Sequence, residues 1–319
     1  MSTPSTEPSA ARIILPGGAG LVGQNLVVRL KEQGYTDLVV LDKHSENVAT
    51  MRRLHPELTI EEADLAEPGP WQAYFEGADA VVMLQAQISA KDETPFQRNN
   101  LTSTEHALAA IQRYGVPYTV HVSSSVVQSV ADDAYARTKT QQERMFLDSG
   151  VAGIVLRPTL MFGWFDRKHL GWLARFMRRV PIFPIPGHGR YPRQPLYVGD
   201  FCAIIARCLE QRPQGGCYDI SGLEFVDYVD LMREVRRAAG ARCAIVHLPY
   251  GLFAALLRLY AVFSRNPPFT VDQLHALTAG DEFAVIDWPG QFGVQPTPLR
   301  DALDETFNDP RYSKVELSF

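Results

Sequence analysis

Cysteine is scarce. Cys202, Cys208, Cys217 and Cys243 are the only four in 319 residues, none forms a C-x-x-C pair, and no histidine cluster accompanies them. That spacing supports neither a structural zinc site nor a disulfide framework, and reads as four reduced thiols in a cytoplasmic protein. Long hydrophobic runs are missing too. The most apolar stretch, Leu248 to Phe263, is interrupted by Arg258 and falls short of the roughly 20 residues that span a bilayer. It reads as a buried amphipathic helix, with surface membrane contact as the alternative. Positive charge is not in excess: 31 Lys and Arg against 36 Asp and Glu leave a net charge of −5, with no pull toward nucleic acid. Repeats and low-complexity tracts are absent, and Met1 to Ala11 is a Ser/Thr/Pro-rich, flexible lead-in without the apolar core of a signal peptide. What remains, 46% hydrophobic and 21% charged residues, is a globular chain able to bury a sizeable core.

The first half alternates two patterns. Apolar, β-branched runs occur at Ile13-Ile14-Leu15, Leu38 to Leu41, Ala80 to Leu84, Tyr118 to Val122 and Gly153 to Leu156. Helical periodicity lies between them, in Leu21, Val22, Leu26, Val27 and Leu30 and again near 45–54, 96–114 and 133–149. Continuous apolar strands separated by helices predict an α/β fold, a doubly wound parallel sheet covered on both faces. After residue 157 prolines and glycines crowd the stretch from Pro181 to Gly189, and helical segments follow at 199–211, 225–240, 250–263 and 297–307. This region predicts a smaller, mostly helical lobe over the carboxyl ends of the strands, where open α/β sheets bind ligands.

The first strand runs into Gly17-Gly18-Ala19-Gly20-Leu21-Val22-Gly23, in which Gly17, Gly20 and Gly23 are spaced G-x-x-G-x-x-G. Glycine there allows the tight turn and a close backbone approach to a pyrophosphate, and the helix that follows offers unpaired N–H groups. Asp42 follows Gly23 by 19 residues at the end of the second strand, the place for a carboxylate that holds an adenosine ribose. The combination predicts a dinucleotide. Asp42 would repel a 2′-phosphate, so NAD is favoured over NADP, although Lys43 and His44 could soften the repulsion.

Tyr135 and Lys139 stand four apart on one helix face. A phenol, with a pKa near 10, is about three units too weakly acidic to act as a base at neutral pH. A neighbouring ammonium would lower it. Ser123-Ser124-Ser125, at the end of the preceding strand, could supply a hydroxyl to orient a substrate oxygen.

Together the glycine loop, the serine run, Tyr135/Lys139 and Leu156-Arg157-Pro158 resemble the short-chain dehydrogenase/reductase superfamily, in its extended branch of nucleotide-sugar epimerases, dehydratases and reductases. The resemblance covers about residues 12–220. It implies a Rossmann domain over 12–157 with parts of 190–222, preceded by a tail of residues 1–11. A substrate lobe over 158–189 and 223–319 completes the division. It implies Tyr135 as acid/base and Lys139 on the nicotinamide ribose. Ser124 lies four residues before Gln128, which occupies the tyrosine position of the family's V-Y-G segment, so Ser124 is the matching hydroxyl. Gly17, Gly20, Leu21, Val22 and Gly23 would carry the pyrophosphate, Asp64-Leu65 resembles the pair that contacts adenine, and Asn100, Arg157 and Pro158 match further cofactor-site positions. Arg193, ahead of Gln194 to Asp200, resembles an arginine that clamps a substrate diphosphate. Pairing through the helices near 96–114 and 133–149 is common among these enzymes, so the resemblance leaves a homodimer open by analogy.

The chain also departs from the pattern. Pro16 replaces a small polar residue, Met83-Leu84-Gln85-Ala86 stands where His-Leu-Ala-Ala is common, and Ser125-Val126 replaces the Asp-Glu pair of dehydratases. Without that pair, hydride transfer to or from a secondary alcohol or ketone, with or without epimerisation, is the expected chemistry, on a small-molecule substrate such as a nucleotide-linked sugar. Gln194 to Asp200 and Pro268 to Leu274 also resemble an atypical branch containing the accessory subunit of respiratory complex I. That resemblance implies the alternative, a nucleotide-binding structural or redox-sensing protein. His121, His169 and His188 lack spaced partners and read as packed or solvated, and Arg175, Arg178 and Arg179 read as a solvated helix face that could meet an anionic ligand or lipid.

Overall fold

The computed structural model describes residues 9–129, 133–263, 274–275, 277–278 and 284–318. Residues 1–8 of the expected lead-in, and Pro268 to Gln273, lie outside the described residues. In chain order the first half consists of β1 (Ser9–Pro16), α1 (Leu21–Glu32), β2 (Tyr35–Asp42), α2 (Ser45–Leu54), β3 (Thr59–Glu62) and β4 (Ala80–Met83). A short α3 (Thr94–Phe96) passes through a π-helical turn, Gln97–Thr102, into α4 (Ser103–Tyr114). Then come β5 (Thr119–Val122), α5 (Ala134–Asp148) and β6 (Gly153–Pro158). The second half contains β7 (Met161–Phe162), α6 (Leu170–Arg179), β8 (Ile182–Pro186), β9 (Pro192–Arg193), β10 (Leu196–Tyr197), α7 (Val198–Gln211) and β11 (Cys217–Ile220). It continues with β12 (Val226–Asp227), α8 (Tyr228–Ala238), β13 (Ala244–Leu248), α9 (Tyr250–Phe263) and two further helices, Trp288–Phe292 and Leu299–Asn308.

Seven strands form one parallel sheet in the order β11-β6-β5-β4-β1-β2-β3. Successive side chains of a strand point to opposite faces, and here both faces are dry. Ile13 and Leu15 pack with Leu26, Val27 and Leu30 of α1 and with Phe201, Ile204 and Ile205 of α7. Ile14, Val39, Leu41, Val81 and Met83 pack on the other side with Ala107, Leu108 and Ile111 of α4 and with Trp71 and Phe75. This is the Rossmann-type doubly wound sheet expected from the apolar runs. The order reverses between β1 and β4, so the glycine loop after β1 opens at the switch point of the sheet. The lobe core is continuous with the first face, since Phe183, Ile185, Leu231, Met232, Trp288 and Leu303 belong to the same cluster as Leu15.

Four details differ from the sequence reading. β1 begins at Ser9, where it pairs with Tyr35, so residues 9–11 of the expected tail are strand. β3 and β11 extend the sheet at its two edges, which the short, half-polar segments Thr59–Glu62 and Cys217–Ile220 did not announce. The basic face of α6 is only partly solvated: Arg175 pairs with Glu316 and donates to Asp166 O and Arg167 O, and Arg178 donates to Ala239 O. Finally, α9 is not the buried helix expected. From Gly251 to Leu259 only Ala254 is buried, and Leu252, Leu256 and Leu259 are 50%, 48% and 57% exposed. The helix follows a largely exposed strand, β13, and apolar composition alone does not bury a helix.

Candidate active site

The glycine loop is built for close approach. Gly17 has φ +75°, and a Cβ there would lie 2.4 Å from the Gln85 backbone. A Cβ on Gly23 would lie 2.1 Å from Gly18 O, so the loop and the start of α1 can touch only through glycine. Gly20, the N-cap of α1, is different: its φ of −77° suits any residue, and the nearest atom to a Cβ is Gly17 O at 3.6 Å. Nothing in the protein requires glycine at position 20. Open space at this point, in front of first-turn N–H groups that have no intrahelical acceptor, fits a pyrophosphate. The residues present therefore fit a dinucleotide.

Asp42, at the end of β2, accepts from Ala19 N and His44 N, both at 3.0 Å, and so ties the glycine loop to the second strand. Burial pushes its carboxyl up, and those backbone N–H groups pull it back. Asp64 accepts from Arg98 at 2.9 Å and lies 3.9 Å from Lys43. Burial raises the Asp64 carboxyl, but the Arg98 bond and its other partners leave it below its usual value. Leu65 is buried, with its carbonyl 3.1 Å from His106 Nδ1. Asn100 sits in the π-helical turn, a feature frequent at functional sites. Its side chain accepts from Gln87 N at 2.6 Å and donates to Thr138 Oγ1 at 2.9 Å, joining the loop after β4 to α5.

The residues that the sequence offers for chemistry lie near the carboxyl end of β5. Ser124 caps the short helical turn Ser125–Gln128, accepting from Val126 N at 3.3 Å. Asp133 caps α5, accepting from Ala136 N at 2.8 Å, which sets the first turn that carries Tyr135. The Ser124 hydroxyl stands near enough to the Tyr135 phenol to act on its proton affinity. Burial pushes the Tyr135 phenol up, and the neighbouring Ser124 hydroxyl works in the opposite direction. Lys139 is directed elsewhere: its Nζ donates to Val122 O at 3.0 Å and to Gln142 Oε1 at 2.5 Å. It is buried, and desolvation lowers its pKa to about 7 against the pull of Glu143.

Below this end of the sheet lies a charged layer. Glu143 accepts from Ser123 Oγ at 2.5 Å and from Arg157 Nε at 3.0 Å, and Arg157 also lies 3.5 Å from Asp219. Gln128 donates to Asp219 at 3.0 Å, which fastens the turn after Ser124 to the same layer. Arg157 thus ends β6 as the partner of Glu143, with Pro158 buried behind it. Arg193, in β9, pairs with Val226 of β12 in the lobe and donates to the carbonyls of Pro192 and Leu277. His121 is buried and stacked on Phe146 at 5.2 Å, and burial holds it neutral. Thr104, Gln142 and Glu143 were not singled out by sequence, and Gln85 only as part of a departure from the family pattern. The spacing from Lys139 to Gln142 and Glu143, three and four residues along one helix, was the available signal. A groove of about 910 Å³ also runs along α4 and α5, lined by Leu108, Gln112, Val126, Thr140 and Met145; neither Tyr135 nor Lys139 lines it.

The model of the NAD dependent epimerase/dehydratase family matches residues 13–221. The chain belongs to that family. The family is described as NAD dependent, and the chain's class is that of the NAD(P)-dependent oxidoreductases and epimerases of extended short-chain type. Among curated proteins it is similar to a 3 beta-hydroxysteroid dehydrogenase/Delta 5→4-isomerase of Mycobacterium tuberculosis, 26% identical over 276 residues, covering 76% of this chain and 73% of that one. It is also similar to NADH dehydrogenase [ubiquinone] 1 alpha subcomplex subunit 9, mitochondrial, of Arabidopsis thaliana, 23% identical and covering 82% of this chain and 68% of that one. Among solved structures, UDP-glucose 4-epimerase of Thermotoga maritima with UDP-glucose superposes with a TM-score of 0.72 at 18% identity, over 93% of this chain and 97% of that one. Among the described residues no helix is long and apolar enough to cross a membrane.

Proposed function

We propose that the protein oxidises or reduces a secondary alcohol or ketone on a nucleotide-linked sugar, with or without epimerisation, and that Ser124, Tyr135 and Lys139 carry the chemistry. The observation behind this reading is that Ser124, capping the turn after β5, and Tyr135, in the first turn of α5, come near enough for the serine hydroxyl to act on the phenol. NAD, when bound, takes up a hydride from the substrate carbon or gives it back. Tyr135 removes the hydroxyl proton, or returns it in the reverse direction, and Ser124 donates a hydrogen bond to the developing oxyanion. Because burial favours the neutral phenol, Tyr135 needs a cation nearby, and Lys139 is the candidate. In this reading Gly17, Gly20, Leu21, Val22 and Gly23 line the pyrophosphate, Asp42 the adenosine ribose and Asp64-Leu65 the adenine. Asn100, Arg157 and Pro158 frame the cofactor, and Arg193 meets the substrate diphosphate from a lobe of residues 158–189 and 223–319. The α4/α5 groove is the proposed seat of a second copy, and the four unpaired thiols suit the cytoplasm.

Tyr135→Phe should abolish turnover and leave NAD affinity within about tenfold, since the phenol acts on chemistry more than on binding. Unchanged turnover would remove Tyr135 from the mechanism. Similarity to the Arabidopsis subunit favours a second reading, a nucleotide-binding structural or redox-sensing protein. That reading expects no turnover over a broad panel of alcohols and nucleotide sugars, together with stable capture by partner proteins.

A further inference from the structure

Lys139 is 1% exposed, yet among the described residues no carboxylate accepts a hydrogen bond from it. Glu143, one turn along α5, spends its oxygens on Ser123 and Arg157 and reaches Lys139 only through its field. The head of Lys139 rests on two neutral acceptors, Val122 O at 3.0 Å and Gln142 Oε1 at 2.5 Å. A side-chain amide can present either end to a neighbour, but here its orientation is determined. Gln142 is fully buried, and its Nε2 donates to Thr104 Oγ1 at 2.8 Å and to Gln85 O at 3.3 Å. Both N–H groups are therefore engaged, and the carbonyl must face Lys139. The two anchors come from α4 and from the segment after β4, whose Gln85 backbone also abuts Gly17. Through one amide the lysine is thus referenced to the glycine loop, to α4 and to the end of β5.

We infer that Gln142 is a positioning residue: locked by Thr104 and Gln85, its side-chain carbonyl holds the Lys139 ammonium at the carboxyl end of β5 for the cofactor. The inference rests on the proposed role of Lys139. An ammonium has three N–H donors, and two acceptors leave it one for a ribose hydroxyl. The charged and titratable neighbours are few. Glu143 on α5 favours the ammonium, Arg157 on β6 pairs with Glu143, and His121 on β5 is held neutral. With the lysine titrating near neutrality, an acceptor gained or lost decides its charge at physiological pH.

The test reads Lys139 directly. The sequence has six lysines, Lys31, Lys43, Lys91, Lys139, Lys168 and Lys314, few enough for lysine-labelled protein to give resolved side-chain NMR signals, with Lys139→Met assigning the one of interest. Gln142→Leu removes the acceptor and should move the Lys139 midpoint down by about one pH unit or more. Gln142→Glu adds a charge and should move it up by at least as much. Thr104→Val, which touches neither Lys139 nor the glycine loop in the contacts above, releases the amide and should shift the midpoint downward by less. NAD affinity measured by calorimetry between pH 6 and pH 9 should follow these midpoints. It weakens as the ammonium is lost, by about fivefold for Gln142→Leu at pH 7, and is retained to higher pH in Gln142→Glu. Coincident Lys139 midpoints in the parent, Gln142→Glu and Thr104→Val would overturn the inference, even if Gln142→Leu fails to fold. So would midpoints that move without any change in NAD affinity while Lys139→Met abolishes binding. If Lys139→Met binds NAD as the parent does, the proposed role of Lys139 itself falls.

Discussion

Alanine at Gly17, Gly20 and Gly23 separates what the fold requires from what a bound dinucleotide requires. At Gly23 the added Cβ lies 2.1 Å from Gly18 O, so α1 must move off the loop. Overpacking of this kind costs about 1–3 kcal/mol and can cost more against rigid backbone. At Gly17 the clash is with the Gln85 backbone at 2.4 Å, and φ +75° adds strain; a left-handed non-glycine residue costs about 1–3 kcal/mol. Gly20 tolerates the methyl, whose nearest neighbour is 3.6 Å away, and loss of a glycine N-cap should cost no more than about 1 kcal/mol. The same methyl enters the space proposed for the pyrophosphate. Urea unfolding followed by tryptophan fluorescence should rank stability as parent, then Gly20→Ala close behind, then Gly17→Ala and Gly23→Ala well below. Calorimetric titration with NAD should show Gly20→Ala weakened about tenfold or more, or about 1.4 kcal/mol. If Gly20→Ala binds NAD as tightly as the parent, the dinucleotide does not pass over Gly20. The glycine pattern would then be a folding device.

Three further outcomes follow from burial and charge. Glu143→Gln leaves the Arg157 guanidinium without its main partner, with Asp219 3.5 Å away as partial compensation; a loss of about 3 kcal/mol in urea unfolding is expected, and a loss below about 1 kcal/mol would mean the pair is not buried in solution. Lys139 has a folded pKa of about 7, below its unfolded value of about 10.4. The folded state therefore binds fewer protons between these values, and stability should rise as pH climbs from about 7 toward 10. Lys139→Met should remove that rise and be the more stable protein at pH 6 in unfolding titrations; equal slopes for the two would contradict it. Leu256→Glu, on the exposed side of α9, should change unfolding free energy by no more than about 0.5 kcal/mol, and a larger loss would show that the helix is packed against a partner.

The central strands were legible in the sequence because two-sided burial writes itself as continuous runs. Leu38 to Leu41 and Ala80 to Met83 are buried throughout, and no polar residue could stand in them without cost. Edge strands escape that constraint. β3 exposes Thr59 and Glu62, and β11 keeps Cys217, Tyr218 and Asp219 only half-buried, so their composition matches that of loops. The helix at 250–263 failed for the opposite reason. Composition reports how much a segment would gain from burial, but the neighbour that would bury it is a property of the tertiary fold.

The site shows the same division at the level of single atoms. Tyr135, Lys139 and the glycines stand out in the sequence because the chemistry proposed for them demands particular side chains at particular spacings. The groups that orient them are generic amides and hydroxyls. Gln142 could be any helical glutamine until Thr104 and the Gln85 carbonyl, brought from 38 and 57 residues away, take both of its N–H groups. Glu143 could be any surface glutamate until β6 delivers Arg157 to it. A lysine buried beside such neutral acceptors has a proton affinity set by their number and orientation, since desolvation strengthens each remaining contact. Whether Lys139 carries its charge when the cofactor arrives is therefore decided by long-range packing, although the residue itself is announced by its distance of four from Tyr135.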